Sequence, residues 1–172
     1  MNRLELEKRA RRIRLVLSDV DGVLTDGGVY YSARGEEMKR FSLRDGMGVE
    51  RLRDAGIQTA FITREDSDIV RRRAEKLALP HSYLGVRNKL DQLPIIREDT
   101  GFGVEEIAYI GDDVNDLEVI EAIRERGLTS APCDAVSEIL EVVHRSTSSR
   151  GGHGAFREFA EWILDLRGAS DA

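Results

Sequence analysis

Short apolar runs rich in branched residues alternate along the chain with stretches whose apolar residues recur at helical spacing. The run Ile13 to Leu17 ends abruptly in Ser18-Asp19, which predicts a buried parallel strand with polar groups at its carboxyl end. Val29 to Tyr31 and Met38 to Phe41 flank Ser32-Ala33-Arg34-Gly35-Glu36-Glu37 and predict a hairpin that projects from the core. Met47, Val49 and Leu52 suit a helix over Asp45 to Ala55, with Gly56 as its stop before a strand at Ile57 to Ile62. Ile69, Val70, Ala74, Leu77 and Ala78 mark another helix, with Arg71, Arg72 and Arg73 between them. Beyond it the pattern predicts strands at Tyr83-Leu84, Ile107 to Ile110 and Leu128 to Ser130. Helices are predicted at Leu90 to Arg97, Val114 to Ile123 and Ala135 to Val143. Residues 146–154, with three serines and three glycines, read as a flexible tail, and Phe156, Phe159, Trp162, Ile163 and Leu166 as a terminal amphipathic helix.

Strand and helix alternating in this way imply right-handed βαβ crossovers. The expected fold is α/β: a Rossmann-like, mostly parallel sheet with helices on both faces and a β-hairpin insertion (about 28–42) after the first strand. Such sheets bind ligands at the carboxyl ends of their strands. The 172 residues carry no internal repeat and no dividing linker, so one domain over 1–172 is expected, with the tail and terminal helix at about 146–168. A formal net charge of −6 removes the general attraction that nucleic acid or an anionic membrane would need, so a phosphate ligand calls for local cations or a metal. No apolar run approaches the ~18 residues of a membrane span. The charged stretch Met1 to Arg14 matches neither a secretory signal nor a transit peptide, and a lone Cys133 suits a reducing compartment, so the expected location is the cytoplasm.

Chemistry concentrates where strands end. Asp19-Val20-Asp21-Gly22 follows the first strand, and acids at i and i+2 there can converge on one small site. On its own the pair is an acidic turn, and an EF-hand loop would need glycine where Leu24 stands. Thr63 follows the strand ending Phe61-Ile62, Lys89 precedes a helix, and Gly111-Asp112-Asp113-Val114-Asn115-Asp116 follows Tyr109-Ile110. Each alone has a plain reading as a helix cap, a surface lysine or a dipole-favoured acidic start. Their order assembles a nucleophile, a hydrogen-bond donor for phosphate, a fixed cation and metal ligands.

That order resembles the haloacid dehalogenase superfamily of phosphohydrolases over essentially the whole chain. The resemblance implies that Asp19 is the nucleophile of an aspartyl-phosphate reaction and that Asp21 is its acid and base. It implies Mg2+ held by Asp19, Asp112 and the backbone carbonyl of Asp21, with Asp113 or Asp116 on metal-bound waters. Thr63 and Lys89 would stabilise the phosphoryl oxygens. The stretches between Asp19, Thr63 and Lys89 hold only a hairpin and short elements, so no cap domain is expected.

Among capless members the chain resembles phosphatases of 2-keto-3-deoxy sugar acids, acting on 3-deoxy-manno-octulosonate 8-phosphate or on ketodeoxynononate or acylneuraminate 9-phosphate. The matching stretches are 19–26, Arg44-Asp45-Gly46-Met47-Gly48, 111–116 and 151–158. The resemblance implies a homotetramer assembled through the hairpin, a tail reaching a neighbour's site, and Arg44 and Asp45 on the substrate side. Thr63-Arg64-Glu65 and the following helix look closer to the nine-carbon enzymes, where Glu65, Arg73 and Lys76 match substrate-side positions. Arg64 departs from the glycine usual in this family: either it takes an ordinary backbone conformation and contacts the phosphate itself, or the loop differs there and the substrate with it. The rival readings are a phospho-receiver domain, against which the early D-x-D unit argues, and a non-catalytic scaffold partner of a sugar-acid pathway enzyme.

Overall fold

The computed structural model describes residues 1–168. The chain runs through α1 (Arg3–Arg12), β1 (Leu15–Ser18), the hairpin strands β2 (Val29–Ser32) and β3 (Gly35–Lys39), α2 (Leu43–Asp54) and β4 (Gln58–Ile62). It continues through α3 (Asp68–Lys76), β5 (His81–Tyr83), α4 (Lys89–Thr100), β6 (Ile107–Ile110) and α5 (Leu117–Arg124). β7 (Leu128–Ala131), α6 (Ser137–Val142), β8 (Arg145–Ser146) and α7 (Ala155–Leu166) complete it. Six strands form one sheet in the order β5-β4-β1-β6-β7-β8, each pair parallel, while β2 and β3 pair antiparallel by themselves. This is the expected α/β architecture, and only the hairpin separates β1 from α2.

The two-residue period of the central strands explains the layering. Val16, Phe61, Ala108 and Ile110 face one side, packing with Val49 and Leu52 of α2, Val70 and Ala74 of α3, and Phe156, Phe159 and Ile163 of α7. Leu15, Leu17, Ala60, Ile62 and Tyr109 face the other, against Leu93 and Ile96 of α4 and Val119, Ile120 and Ile123 of α5. Strands buried on both faces read as unbroken apolar runs, which is why β1, β4 and β6 are plain in the sequence.

Several elements differ from the sequence pattern. α1 has no apolar stripe, with Ala10 its only buried residue; Asn2 caps it by accepting the Glu5 N–H at 2.9 Å. The helix expected over Val114 to Ile123 is split, because a 3-10 turn at Val114–Asp116 precedes α5. The glycine-rich segment is not a free tail. Gly151 and Gly152 are buried, Gly152 N–H donates to the Val23 carbonyl at 2.9 Å, and Arg40 donates to the Gly152 carbonyl at 2.9 Å. A Cβ on Gly151 would lie 1.9 Å from the Gly22 carbonyl oxygen, so only glycine allows the segment to lie on the loop after β1. α7 is then a core helix, with eight buried residues. Residues 169–172 of the expected domain lie outside the described residues. Among the described residues no helix is long and apolar enough to cross a membrane.

Candidate active site

β1 delivers Asp19 to the middle of the sheet's carboxyl edge. Its N–H donates to the Ile110 carbonyl at 3.0 Å, continuing the β1–β6 ladder by one step and fixing the backbone before the loop begins. Oδ1 accepts the Val20 N–H at 2.6 Å, and Oδ2 lies 2.7 Å from Lys89 Nζ. Lys89 is the first residue of α4, positioned by Asn88, whose side chain accepts the Leu90 and Asp91 N–H groups. Its ammonium also reaches Asp116 Oδ1 at 2.5 Å.

Asp116 holds this corner together. Oδ1 also accepts the Tyr109 hydroxyl at 2.6 Å, while Oδ2 accepts the Asp112 and Asp113 N–H groups at 3.0 and 3.4 Å. With four donors on two oxygens and no exposed surface, Asp116 is an anchor for the 111–116 turn and the lysine. Asp113 is exposed and caps the 3-10 turn by accepting the Val114 N–H at 2.7 Å. Two glycines allow the close approach: a Cβ on Gly22, whose φ is +85°, would meet Asp112 Oδ2 at 1.9 Å, and one on Gly111 would meet Asp116 Cγ at 2.4 Å.

Carboxylate oxygens of Asp19, Asp112 and Asp116 can all lie within 4.8 Å of one another. Burial and then the charge of Asp116 push Asp19 up to about 7, with Lys89 opposing. Burial, then Asp19 and Asp116, push Asp112 up to about 8. Crowded, buried acids of this kind suit a hard divalent cation, which takes oxygen ligands and relieves the repulsion. Since Asp116 is saturated by protein donors, Asp19 and Asp112 are the side chains with oxygen capacity to spare.

A cleft of about 190 Å³ opens over these groups, lined by Asp19, Asp21, Thr63, Arg64, Glu65, Asp112, Asp113 and Asn115. Thr63 is held at the end of β4 by its N–H to the Tyr83 carbonyl at 2.9 Å, and its hydroxyl accepts the Glu65 N–H at 3.2 Å. Asp21 is half-buried on the opposite wall, with Oδ1 accepting the Thr25 hydroxyl at 3.2 Å and Oδ2 at 2.5 Å from Lys39 Nζ.

Four candidates of the sequence reading stand elsewhere in the subunit. Asp45 is buried at the start of α2 and accepts the N–H groups of Gly154 and Arg157 at 3.3 and 2.9 Å, so within the subunit it caps α7. Arg73 donates to the Ser42 carbonyl at 3.1 Å and lies 5.4 Å from the Phe41 ring centroid, supporting the turn before α2. Arg44 lines a separate recess with Arg40, Phe41 and His153. Lys76 is exposed in the last turn of α3. Conversely, Lys39, Tyr109 and Asn115 belong to the site or its support and escape the sequence reading. Tyr109 reads as strand core, Lys39 as a hairpin surface charge, and Asn115 as the polar filler of an acidic motif.

No family model matches the chain. The 3-deoxy-D-manno-octulosonate 8-phosphate phosphatase KdsC of Haemophilus influenzae is 39% identical over 165 residues, covering 96% of this chain and 90% of that protein. The chain belongs to this phosphatase family. Its fellow members are phosphoric monoester hydrolases of the haloacid dehalogenase superfamily, so the receiver-domain reading falls away. Among solved structures, the cobalt-bound phosphatase of Haemophilus influenzae superposes with TM-score 0.89 at 40% identity, covering 94% of this chain and 93% of that one. The Moraxella catarrhalis phosphatase, solved with magnesium, phosphate and KDO, gives TM-score 0.90 at 36% identity over 97% and 94% of the two chains.

Proposed function

We propose that this chain is a magnesium-dependent phosphatase that removes the terminal phosphate of a 2-keto-3-deoxy sugar acid, with 3-deoxy-manno-octulosonate 8-phosphate as the first substrate to test. The observation that carries the reading is the buried Asp19–Lys89 pair at 2.7 Å, facing Asp112 and opening into a cleft whose far wall holds Asp21. The KdsC relatives and the KDO-bound structure support the eight-carbon substrate. Arg73, engaged with Ser42 and Phe41, does not serve the nine-carbon reading within its own subunit.

Magnesium held by Asp19, Asp112 and the Asp21 carbonyl would neutralise the charge between carboxylate and phosphate. A carboxylate oxygen of Asp19 attacks phosphorus while the bond to the sugar oxygen breaks, and Asp21 gives that oxygen its proton. Asp21 then takes a proton from water as the water oxygen bonds to phosphorus and Asp19 leaves. Lys89 would hold Asp19 and, with Thr63, stabilise the equatorial phosphoryl oxygens, and Arg64, which lines the same cleft, would contact the phosphate. The exposed Tyr30, Tyr31 and Met38 of the hairpin, with Leu43 and Met47 of α2, support assembly of a homotetramer through this face. A cytoplasmic location fits the free Cys133.

Phosphate release with Mg2+ from octulosonate 8-phosphate, ketodeoxynononate 9-phosphate and acetylneuraminate 9-phosphate, compared by kcat/KM, tests the reading. Absence of turnover on all three, or turnover retained in Asp19→Asn, refutes it.

A further inference from the structure

Lys39 is the second lysine among the described residues, after Lys89, whose side chain is buried, and it stands on the hairpin. Only 1% of its side chain is exposed. Its Nζ lies 2.5 Å from Asp21 Oδ2 and 3.6 Å from Glu36 Oε1. Glu36 Oε1 in turn accepts the Ser67 hydroxyl at 3.2 Å, which ties the hairpin to the start of α3. From the other side the Thr25 hydroxyl donates to Asp21 Oδ1, while Thr25 Oγ1 accepts the N–H groups of Gly22 and Gly27 at 3.3 and 3.2 Å. The Asp21 carboxylate is thus gripped at both oxygens, by its own loop and by a strand eighteen residues on.

Burying an ammonium is costly unless a carboxylate meets it, so the Lys39 side chain lies out of water because Asp21 and Glu36 face it there. Asp21 is only half-buried and sits on a glycine-flanked loop, where a free side chain would spread over several rotamers. A proton donor displaced by about 1 Å from its leaving group loses much of its effect. We infer that Lys39 is a positioning residue that holds Asp21 aimed at the leaving-group oxygen, so that docking of the hairpin completes the acid/base half of the site. The inference rests on the phosphatase reading and on the role given there to Asp21.

The test compares two leaving groups. A sugar alkoxide needs protonation as it departs, whereas p-nitrophenolate does not, and kcat/KM reports steps only as far as the first phosphoryl transfer. Lys39→Met should lower kcat/KM for octulosonate 8-phosphate by about 10²-fold and that for p-nitrophenyl phosphate by no more than about threefold, with Mg2+ affinity unchanged. Lys39→Gln, which fills similar space, is read in the same way if the apolar variant does not fold. Equal losses on both esters, or no loss on either, overturn the inference and leave the phosphatase reading standing. Asp21→Asn should reproduce the same discrimination. If it does not, the role of Asp21 fails, and with it that of Lys39; a wild-type protein inert on both esters removes the phosphatase reading itself.

Discussion

Nζ of Lys89 lies 2.7 Å from Oδ2 of Asp19, with 1% and 6% of the two side chains exposed. Burial works against the lysine's charge, but Asp19 and Asp116 outweigh it and hold the ammonium above its ordinary range. Removing this cation leaves two buried carboxylates facing each other. Lys89→Met should therefore cut kcat by about 10²–10³-fold. It should also lower the melting temperature of the metal-free protein by several degrees, since breaking a buried pair costs about 3–5 kcal/mol before neighbours adjust. Lys89→Arg should not restore activity, because a planar fork cannot occupy a point between acids at 2.7 and 2.5 Å. Wild-type kinetics in either variant would remove Lys89 from the reaction.

Asp112 carries the opposite imbalance. With no cation present, its repulsion from Asp19 and Asp116 makes the acidic corner a source of instability. Asp112→Asn should abolish Mg2+ stabilisation and turnover, yet melt a few degrees higher than wild type in EDTA. Thermal melts with and without Mg2+ read both effects. A variant that melts lower than wild type in EDTA would show that the carboxylate is held by its neighbours and not strained by them.

Asp45 separates a substrate role from a structural one. Its carboxylate accepts N–H groups of Gly154 and Arg157, more than a hundred residues away, and so joins α2 to the first turn of α7. Asp45→Ala should cost about 1–3 kcal/mol, or roughly 2–12 °C in melting temperature, because buried N–H groups lose their acceptor. Its kcat/KM at 15 °C should remain near that of wild type. A large fall in kcat/KM without a change in melting temperature would return Asp45 to the substrate side.

The contrast between Asp45 and Asp112 shows how far the sequence could be read. Asp19, Asp21, Thr63, Asp112 and Asp113 follow strands whose apolar runs are plain, so parallel-sheet topology alone carries them to one edge. Lys89 arrives the same way, at the start of the helix after β5. Arg44, Asp45 and Arg73 lie on helices, where the partner of a charged residue depends on packing between distant segments, and no local pattern announces that α7 will rest on α2. Glycine was ambiguous for the same reason. Gly151 and Gly152 read as freedom in one dimension and are close contacts in three.

His144 gives the fold a pH dependence of defined sign. Nδ1 accepts the Thr129 N–H at 3.0 Å, and burial, then Arg9, Arg124 and the amino terminus, lower the imidazole to about 4. Protonation would remove that acceptor. Because the folded value lies below the ordinary 6.5, this contribution is complete above about 6.5 and is lost as pH falls toward about 4. Partial exposure reduces its size, so wild type should lose a few degrees of melting temperature between pH 7 and pH 5 relative to His144→Asn. Parallel melting curves for the two proteins over that interval would contradict the assignment.

Gly151 tests whether the carboxyl-terminal segment acts on the reaction through the loop after β1. An alanine Cβ there would lie 1.9 Å from the Gly22 carbonyl oxygen and 3.0 Å from that of Thr25. These are backbone atoms, so relief must come from movement of the loop or of the segment itself. Gly22 lies against Asp112, and Thr25 donates to Asp21, so displacement of this loop moves both the metal ligand and the proton donor of the proposed reaction. Gly151→Ala should therefore lower kcat at least about tenfold, weaken Mg2+ binding and change KM less, although no atom of residue 151 lines the cleft. A segment serving only as a lid over bound substrate would instead raise KM and leave Mg2+ affinity alone. Calorimetric titration with Mg2+ alongside steady-state kinetics distinguishes the two outcomes. The point variant is the informative one, since truncation before Gly151 would remove α7 and eight buried residues of the core with it.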